Sequence, residues 1–388
     1  MDLYNPAINY QNAKCFTPSK EHLPPVIANL HQETSGFSLC NTGHGFHSTA
    51  HSAKYVVDLS LLRGAERIDD TLIKVEAGTR WRDATSAVPE GRRLVSGSFD
   101  GVGICGYLSG SGVGPDFRIV GPSSRFVESL EVIDLQGETL MCSRQHNPDI
   151  FETALTTKGS RFVIKSAVLK TEVDKTFLCS TFTLNSDTCT SLEIVDKIKE
   201  WIALCPSYID VASSIQTIFA SGVPTLTFRS IALEENGSDL LSFLDSLELH
   251  SEVFPLKGSQ LSKLHGEPEK SPGTFMDGFG IIHGSTITHL HKMVDEAVAI
   301  GKRSPFFGFE IRHCDASDLL LDDSLPSRVW KNLEFIVQHG SLSVSPVDAN
   351  NRLLDALGEQ TTRLLPNFSR KLDEGDNISQ FFDDLMDI

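Results

Sequence analysis

No apolar run in the chain approaches the roughly 18 residues needed to span a bilayer, so no membrane-embedded role is expected. Met1 to Tyr10 lack the basic stretch and apolar stretch of a secretory signal. The eight cysteines (15, 40, 105, 142, 179, 189, 205 and 314) include no Cys-x-x-Cys pair. That spacing argues for reduced thiols in a cytoplasmic protein rather than a disulfide framework or a zinc site. Basic residues are scarce, 34 Lys and Arg against 51 Asp and Glu, and the net charge of -17 speaks against nucleic-acid binding. Repeats and low-complexity tracts are also lacking. Asn236, Asn367 and Asn377 stand in glycosylation sequons, which carry no meaning without secretion.

What remains is an ordinary globular composition, 40% hydrophobic and 22% charged, over 388 residues, a length that suggests two domains. From Lys14 to Lys170 short β-rich runs alternate with helices. Ser19 is placed to cap a helix over 20–33, with Leu23, Val26, Ile27 and Leu30 on one face. Strands are expected over 37–41, 55–59, 71–77, 129–135, 139–143 and 161–169, and a helix capped by Thr79 carries Trp81, Ala84 and Val88 inward. From about Asp174 the texture changes to strands over 177–184, 225–233 and 306–312. Helices are expected over 191–204, 238–247 and 288–300, the last closed by Gly301, and 329–337 reads as helix or strand. This middle section suggests an α+β domain built on an antiparallel sheet.

Two glycine-rich segments carry the chemistry. The first is Asn41-Thr42-Gly43-His44-Gly45-Phe46-His47; the second runs from Gly97 through Val102-Gly103-Ile104-Cys105-Gly106-Tyr107 to Gly110 and Gly114. Glycines at this density let backbone approach a large ligand and offer it N–H groups. Gly110-Ser-Gly-Val-Gly114 superficially matches a dinucleotide fingerprint, but Pro115 follows at once where a helix is required, which argues against a Rossmann site. His44, His47 and His51 form a short histidine run, yet no cysteine or carboxylate cluster completes a shell, so no metal is expected. Glu310 and Arg312 fall on one face of a strand, where an ion pair and catalysis are both open readings.

Over Phe16–Lys170 these motifs, in this order, resemble the FAD-linked oxidoreductases of the vanillyl-alcohol-oxidase type, with a PCMH-type FAD-binding domain, in particular the berberine-bridge-enzyme-like branch. Thr42-Gly43-His44-Gly45 is similar to the family's pyrophosphate loop, and Val102 to Gly114 to its second flavin loop. Phe162-Val163-Ile164 looks like the family's strand near the adenine, and Pro366-Asn367-Phe368 like its stretch beside the flavin. The resemblance implies FAD held by Asn41, Thr42, Gly43, His44, Gly45, Phe46, His47, Gly97, Val102, Gly103, Ile104, Gly106, Gly110, Ile164 and Asn367. It also implies a covalent bond from His44 to the flavin 8α-methyl group. Relatives with two attachments carry a cysteine where this chain has Phe99, so His44 is the single expected anchor. Ile104 falls at the family's oxygen-gate position, which leans toward dehydrogenase behaviour.

The implied architecture is α+β: a two-part FAD-binding domain of small mixed subdomains over 1–173 and an antiparallel-sheet-plus-helices substrate domain over 174–360. A shortened C-terminal segment, 361–388, is expected to return to the first domain. The implied function is an FAD-dependent oxidoreductase, oxidase or dehydrogenase, passing a hydride from a small alcohol, sugar or natural-product substrate to flavin N5, with oxygen or another electron acceptor. Tyr107 is the titratable side chain expected near the ring. The competing expectation is a flavin-fold protein without redox turnover, such as a cyclase or a binding protein.

Overall fold

The computed structural model describes residues 10, 12–33, 37–44, 54–185, 190–266, 276–282, 287–315, 333–341, 346–357 and 362–364. Near its start, α1 (Leu23–Glu33) buries Leu23, Ile27 and Leu30 one above the other, the spacing of a single helical face. It covers a small parallel sheet of β1 (Lys14–Phe16), β2 (Ser38–Cys40) and β3 (Tyr55–Asp58), in the order β1-β3-β2. The helix begins later than Ser19 would place it. Pro24 and Pro25 have no N–H to give and sit in the first turn, where none is needed, while the Ser19 hydroxyl engages Glu21 and His22.

Alternation of buried and half-exposed residues along β5 (Leu72–Glu76) marks a strand with two different faces. It lies in a five-stranded antiparallel sheet with β4 (Ala65–Arg67), β7 (Val127–Asp134), β8 (Thr139–Ser143) and β9 (Phe162–Lys170), ordered β4-β5-β9-β7-β8. Neighbouring residues on these strands serve opposite layers. Ile133 and Val163 pack with α1, whereas Val132 and Ile164 pack with α2 (Trp81–Ala84), α3 (Ile104–Leu108) and α5 (Pro148–Thr156); α4 (Phe117–Val120) follows the second glycine loop. The helix expected to be capped by Thr79 starts after Arg80 and stops at Ala84, because the Thr79 hydroxyl is committed to the Gly64 backbone. A two-stranded ribbon of β6 (Arg92–Arg93) and β10 (Glu172–Val173) closes this part of the chain.

The remainder forms one eight-stranded antiparallel sheet. Its strands are β11 (Thr176–Leu184), β12 (Ala212–Ala220), β13 (Val223–Leu233), β14 (Val253–Lys257), β15 (Met276–Ile282), β16 (Phe306–His313), β17 (Leu333–Ser341) and β18 (Thr362–Leu364), ordered β14-β11-β13-β12-β16-β17-β15-β18. Helices α6 (Ser191–Leu204), α7 (Gly237–Ser246), α8 (Ile287–Gly301) and α9 (Pro346–Leu357) bury Trp201, Phe243, Met293 and Leu353 against Ile215, Phe228, Phe309 and Val337 of the sheet. Thr190 and Glu193 form a reciprocal capping box that starts α6. Of the ambiguous stretch 329–337, the described residues from Leu333 on are strand, β17, which pairs on both sides, with β16 and β15. Gly301 is the last residue of α8 rather than a left-handed cap; a Cβ there would lie 2.3 Å from the Phe219 ring. Of the segment expected to return to the first domain, Thr362–Leu364 pair with β15 at the edge of this large sheet. Asn367 lies outside the described residues.

No helix among the described residues is long and apolar enough to cross a membrane. Trp201 is fully buried, and its indole N–H donates to Ser213 Oγ at 3.2 Å. Trp201→Ala is therefore expected to cost about 3–5 kcal/mol, read as a lower midpoint in urea unfolding.

Candidate functional site

Both glycine loops end up side by side. The first leaves β2, and its described residues, Asn41 to His44, run directly beside the start of α3. The Gly103 N–H donates to Thr42 Oγ1 at 3.3 Å. A Cβ on Gly103 would lie 2.2 Å from Asn41 Nδ2, so only glycine lets the loops meet. At this junction both polar atoms of the Asn41 side chain are shielded from solvent and have no partner among the described residues. A buried amide with four unused hydrogen-bonding positions is costly, and it fits a polar ligand group laid along the two loops. Gly45, Phe46 and His47 lie outside the described residues.

His44 Nδ1 is 2.8 Å from Thr42 Oγ1. Burial first, then the Arg82 and Arg80 charges, push the imidazole down to about 4, so it is neutral at physiological pH. A neutral imidazole keeps a lone pair on one ring nitrogen, the state needed for a nucleophile.

The second loop is wound around an aromatic ring. Cβ atoms on Gly97 and Gly112 would approach the Tyr107 ring to 2.9 and 2.3 Å, and Trp81 meets the ring edge-on at 5.6 Å. The Tyr107 hydroxyl lies 3.2 Å from Ser123 Oγ, and burial raises its pKa above the ordinary tyrosine value. It stays protonated throughout the physiological range. The Val102 carbonyl accepts from the Trp81 N–H at 3.2 Å, and the Gly106 carbonyl accepts from Lys158 Nζ at 3.1 Å. Burial brings the Lys158 amine down to about 7. Gly110 follows α3 and donates its N–H to the Tyr107 carbonyl. Ile104 and Ile164 turn their side chains into the core between α3 and the sheet, so neither wall of the loop groove is made by them.

Opposite the second loop stands one face of the large sheet. Along β16 the residues Phe307, Phe309 and Ile311 enter the helix-covered core, and the alternation leaves Glu310 and Arg312 on the other side. Gln216, Glu310 and Gln338 stand directly opposite one another on three neighbouring strands. The Arg312 guanidinium donates to Glu310 Oε1 at 2.9 Å, to the Gly114 carbonyl at 3.0 Å and to Ser98 Oγ at 3.4 Å. Gln338 Nε2 donates to Glu310 Oε2 at 2.6 Å, and Arg229 Nη2 donates to Gln216 Oε1 at 3.1 Å. Burial, the largest single effect, raises Glu310, but the charge and hydrogen bond of Arg312 together with the charges of His265 and Arg229 outweigh it and hold the carboxyl at about 2. A small cleft opens here, lined among others by Pro115, Ser214, Arg229, His265 and Arg312.

The ion pair anticipated between Glu310 and Arg312 is thus present, buried, and joined to the second glycine loop. Gln216, Arg229, His265 and Gln338 were not anticipated. Arg229 sat in the polar phase of an expected strand, Thr225 to Leu233, which was the one available signal. Among the described residues no group of three or more His, Cys, Asp and Glu is arranged to hold a metal ion.

Residues 18–143 match the family model described as an FAD binding domain. No curated protein sequence matches the chain. Among solved structures, a glucooligosaccharide oxidase from Acremonium strictum is similar with a TM-score of 0.78 at 13% identity, covering 95% of this chain and 84% of that one. A VAO-type flavoprotein from Myceliophthora thermophila gives 0.72 at 16% identity, over 91% of this chain and 71% of that one. Berberine bridge enzyme from Eschscholzia californica gives 0.71 at 16% identity, over 92% and 76%. Residues 18–143 therefore carry an FAD binding domain, and nearly the whole chain has the fold of the VAO-type flavoproteins.

Proposed function

We propose that the chain is an FAD-dependent oxidoreductase acting on a small organic molecule bound between the second glycine loop and the polar face of the large sheet. The observation that carries this reading is the pair of loops meeting at Gly103, with the unpartnered Asn41 amide between them, inside the matched FAD binding domain. Bound FAD supplies a hydride acceptor for a substrate C–H bond, and a second substrate such as oxygen reoxidises it.

The chain's own groups divide the remaining work. Asn41, Thr42, Gly43 and Gly103 offer hydrogen-bonding groups along the loop junction, and Gly45, Phe46 and His47, next in the sequence, are assigned to the same ligand by the resemblance alone. Gly97, Val102, Gly106 and Gly110 shape the second loop. Tyr107, protonated and wedged between glycines, is a wall of the site rather than its base. Glu310 is the group placed to take an O–H or N–H proton from the substrate. It is ionised, stands on the polar face near the centre of the sheet, and is held by Arg312 and Gln338.

His44 is the single covalent anchor in this proposal. The flavin of the Acremonium enzyme is described as 6-S-cysteinyl, 8α-N1-histidyl FAD. In this chain the histidine is present and neutral, and Phe99 stands where the cysteine is expected.

Purified protein is expected to be yellow, with a band near about 450 nm that bleaches on addition of substrate. A colourless chain that cannot take up FAD would falsify the proposal. Acid precipitation should leave flavin in the wild-type pellet, whereas His44→Ala should bind FAD but release it into the supernatant. Glu310→Gln should lower kcat roughly 100- to 10,000-fold while flavin content is retained. The Glu310 carboxyl lies at about 2 in the folded chain against an ordinary 4.5. Its stabilisation is complete above pH 4.5 and is lost as pH falls toward 2, so Glu310→Gln should flatten the acid limb of a stability profile measured over that range.

A further inference from the structure

The polar face of the large sheet holds more positive charge than it can use internally. Arg312 is matched by Glu310 and by two further acceptors. Arg229, two strands further along the sheet on β13, has no such match among the described residues. Its Nη2 reaches Gln216, but Nε and Nη1 are shielded from solvent and have no partner among the described residues. His265, across the same cleft, is also shielded at both ring nitrogens without a partner there, and burial drives it down to about 3, so it brings no charge at physiological pH. Among the described residues, two guanidinium groups therefore face one carboxylate, with one positive charge left over.

A buried guanidinium with idle N–H groups is expensive in two respects. Each N–H has lost its water, and the charge has lost its solvation. A neutral sugar or alcohol hydroxyl could accept one N–H bond but would leave the charge uncompensated. A carboxylate does both: it accepts two N–H bonds from the planar fork and neutralises the excess. His265 adds one neutral donor and one acceptor on the far wall, suited to a hydroxyl of the same molecule.

We propose that the Arg229 cleft is a carboxylate-binding subsite and that the substrate of this chain is a small organic acid. The proposal rests on the oxidoreductase reading for the word substrate, but the binding it requires can be measured whether or not flavin is present. A carboxylate seated on Arg229 would also lie close to Glu310, since both groups share this face of the sheet. Its negative charge would make the Glu310 carboxylate a stronger base in the complex than in the free protein.

Titration calorimetry of the purified chain with benzoate and benzamide, and with the smaller pair acetate and acetamide, tests the subsite. At least one carboxylate should bind ten times more tightly than its amide, and Arg229→Met should abolish that preference while leaving flavin content, read by absorbance, unchanged. Arg229→Lys, which keeps the charge but loses the fork, should retain part of the preference. Equal binding of both acids and their amides would overturn the subsite. So would an Arg229→Met chain that keeps the preference, or one that loses flavin while still favouring the acid, which would assign Arg229 to the cofactor. A wild-type chain that prefers the acid but is colourless would instead sink the oxidoreductase reading and leave the subsite standing.

Discussion

Everything proposed for this site depends on where Arg312 puts its guanidinium. One group joins Glu310 on its own strand, the Gly114 carbonyl on the second glycine loop and Ser98 at the start of that loop. The sheet and the loop are held at a fixed separation by hydrogen bonds in a dry environment. Such a pair gives little net stability over an apolar contact, yet removing one partner strands the other, at about 3–5 kcal/mol. Arg93 makes a second tie between the same two parts. Its guanidinium lies 2.7 Å from Asp116, without the alignment of a hydrogen bond, and 5.1 Å from the centre of the Phe177 ring on β11. Two arginines thus cross the seam between the two parts.

The apolar layers explain why these polar groups are available at all. Four helices cover one face of the large sheet and take up every second residue of its central strands. The alternate residues, Gln216, Arg229, Glu310, Arg312 and Gln338, are left on the face toward the glycine loops. An antiparallel sheet can leave its polar face to water, but part of this one is covered by the second loop through Gly114 and Pro115.

Much of this was legible in the chain. Glycine density and order pointed to both loops, and period-two alternation placed Glu310 and Arg312 on one face. What escaped was long-range. β12 was not recognised, because Ser213, Ser214, Gln216 and Thr217 dilute its apolar pattern, and without it Gln216 and the strand beside Arg229 had no place. His265 sits at the end of a short helical turn that only tertiary packing brings to the cleft. Local errors had local causes: Pro24 and Pro25 set the start of α1, and the Thr79 hydroxyl was already committed to Gly64. Ile104 and Ile164 were placed correctly along the chain, but their side chains serve the core.

The wedge of Tyr107 between Gly97 and Gly112 has a thermodynamic consequence for cofactor capture. The second loop takes its shape from a side chain inside it, fixed in turn by Trp81 and Ser123, rather than from the ligand it would hold. Little conformational entropy is then left to lose when a flavin arrives, and the binding free energy is not spent on ordering backbone. The second loop is in this sense a mould that has already set.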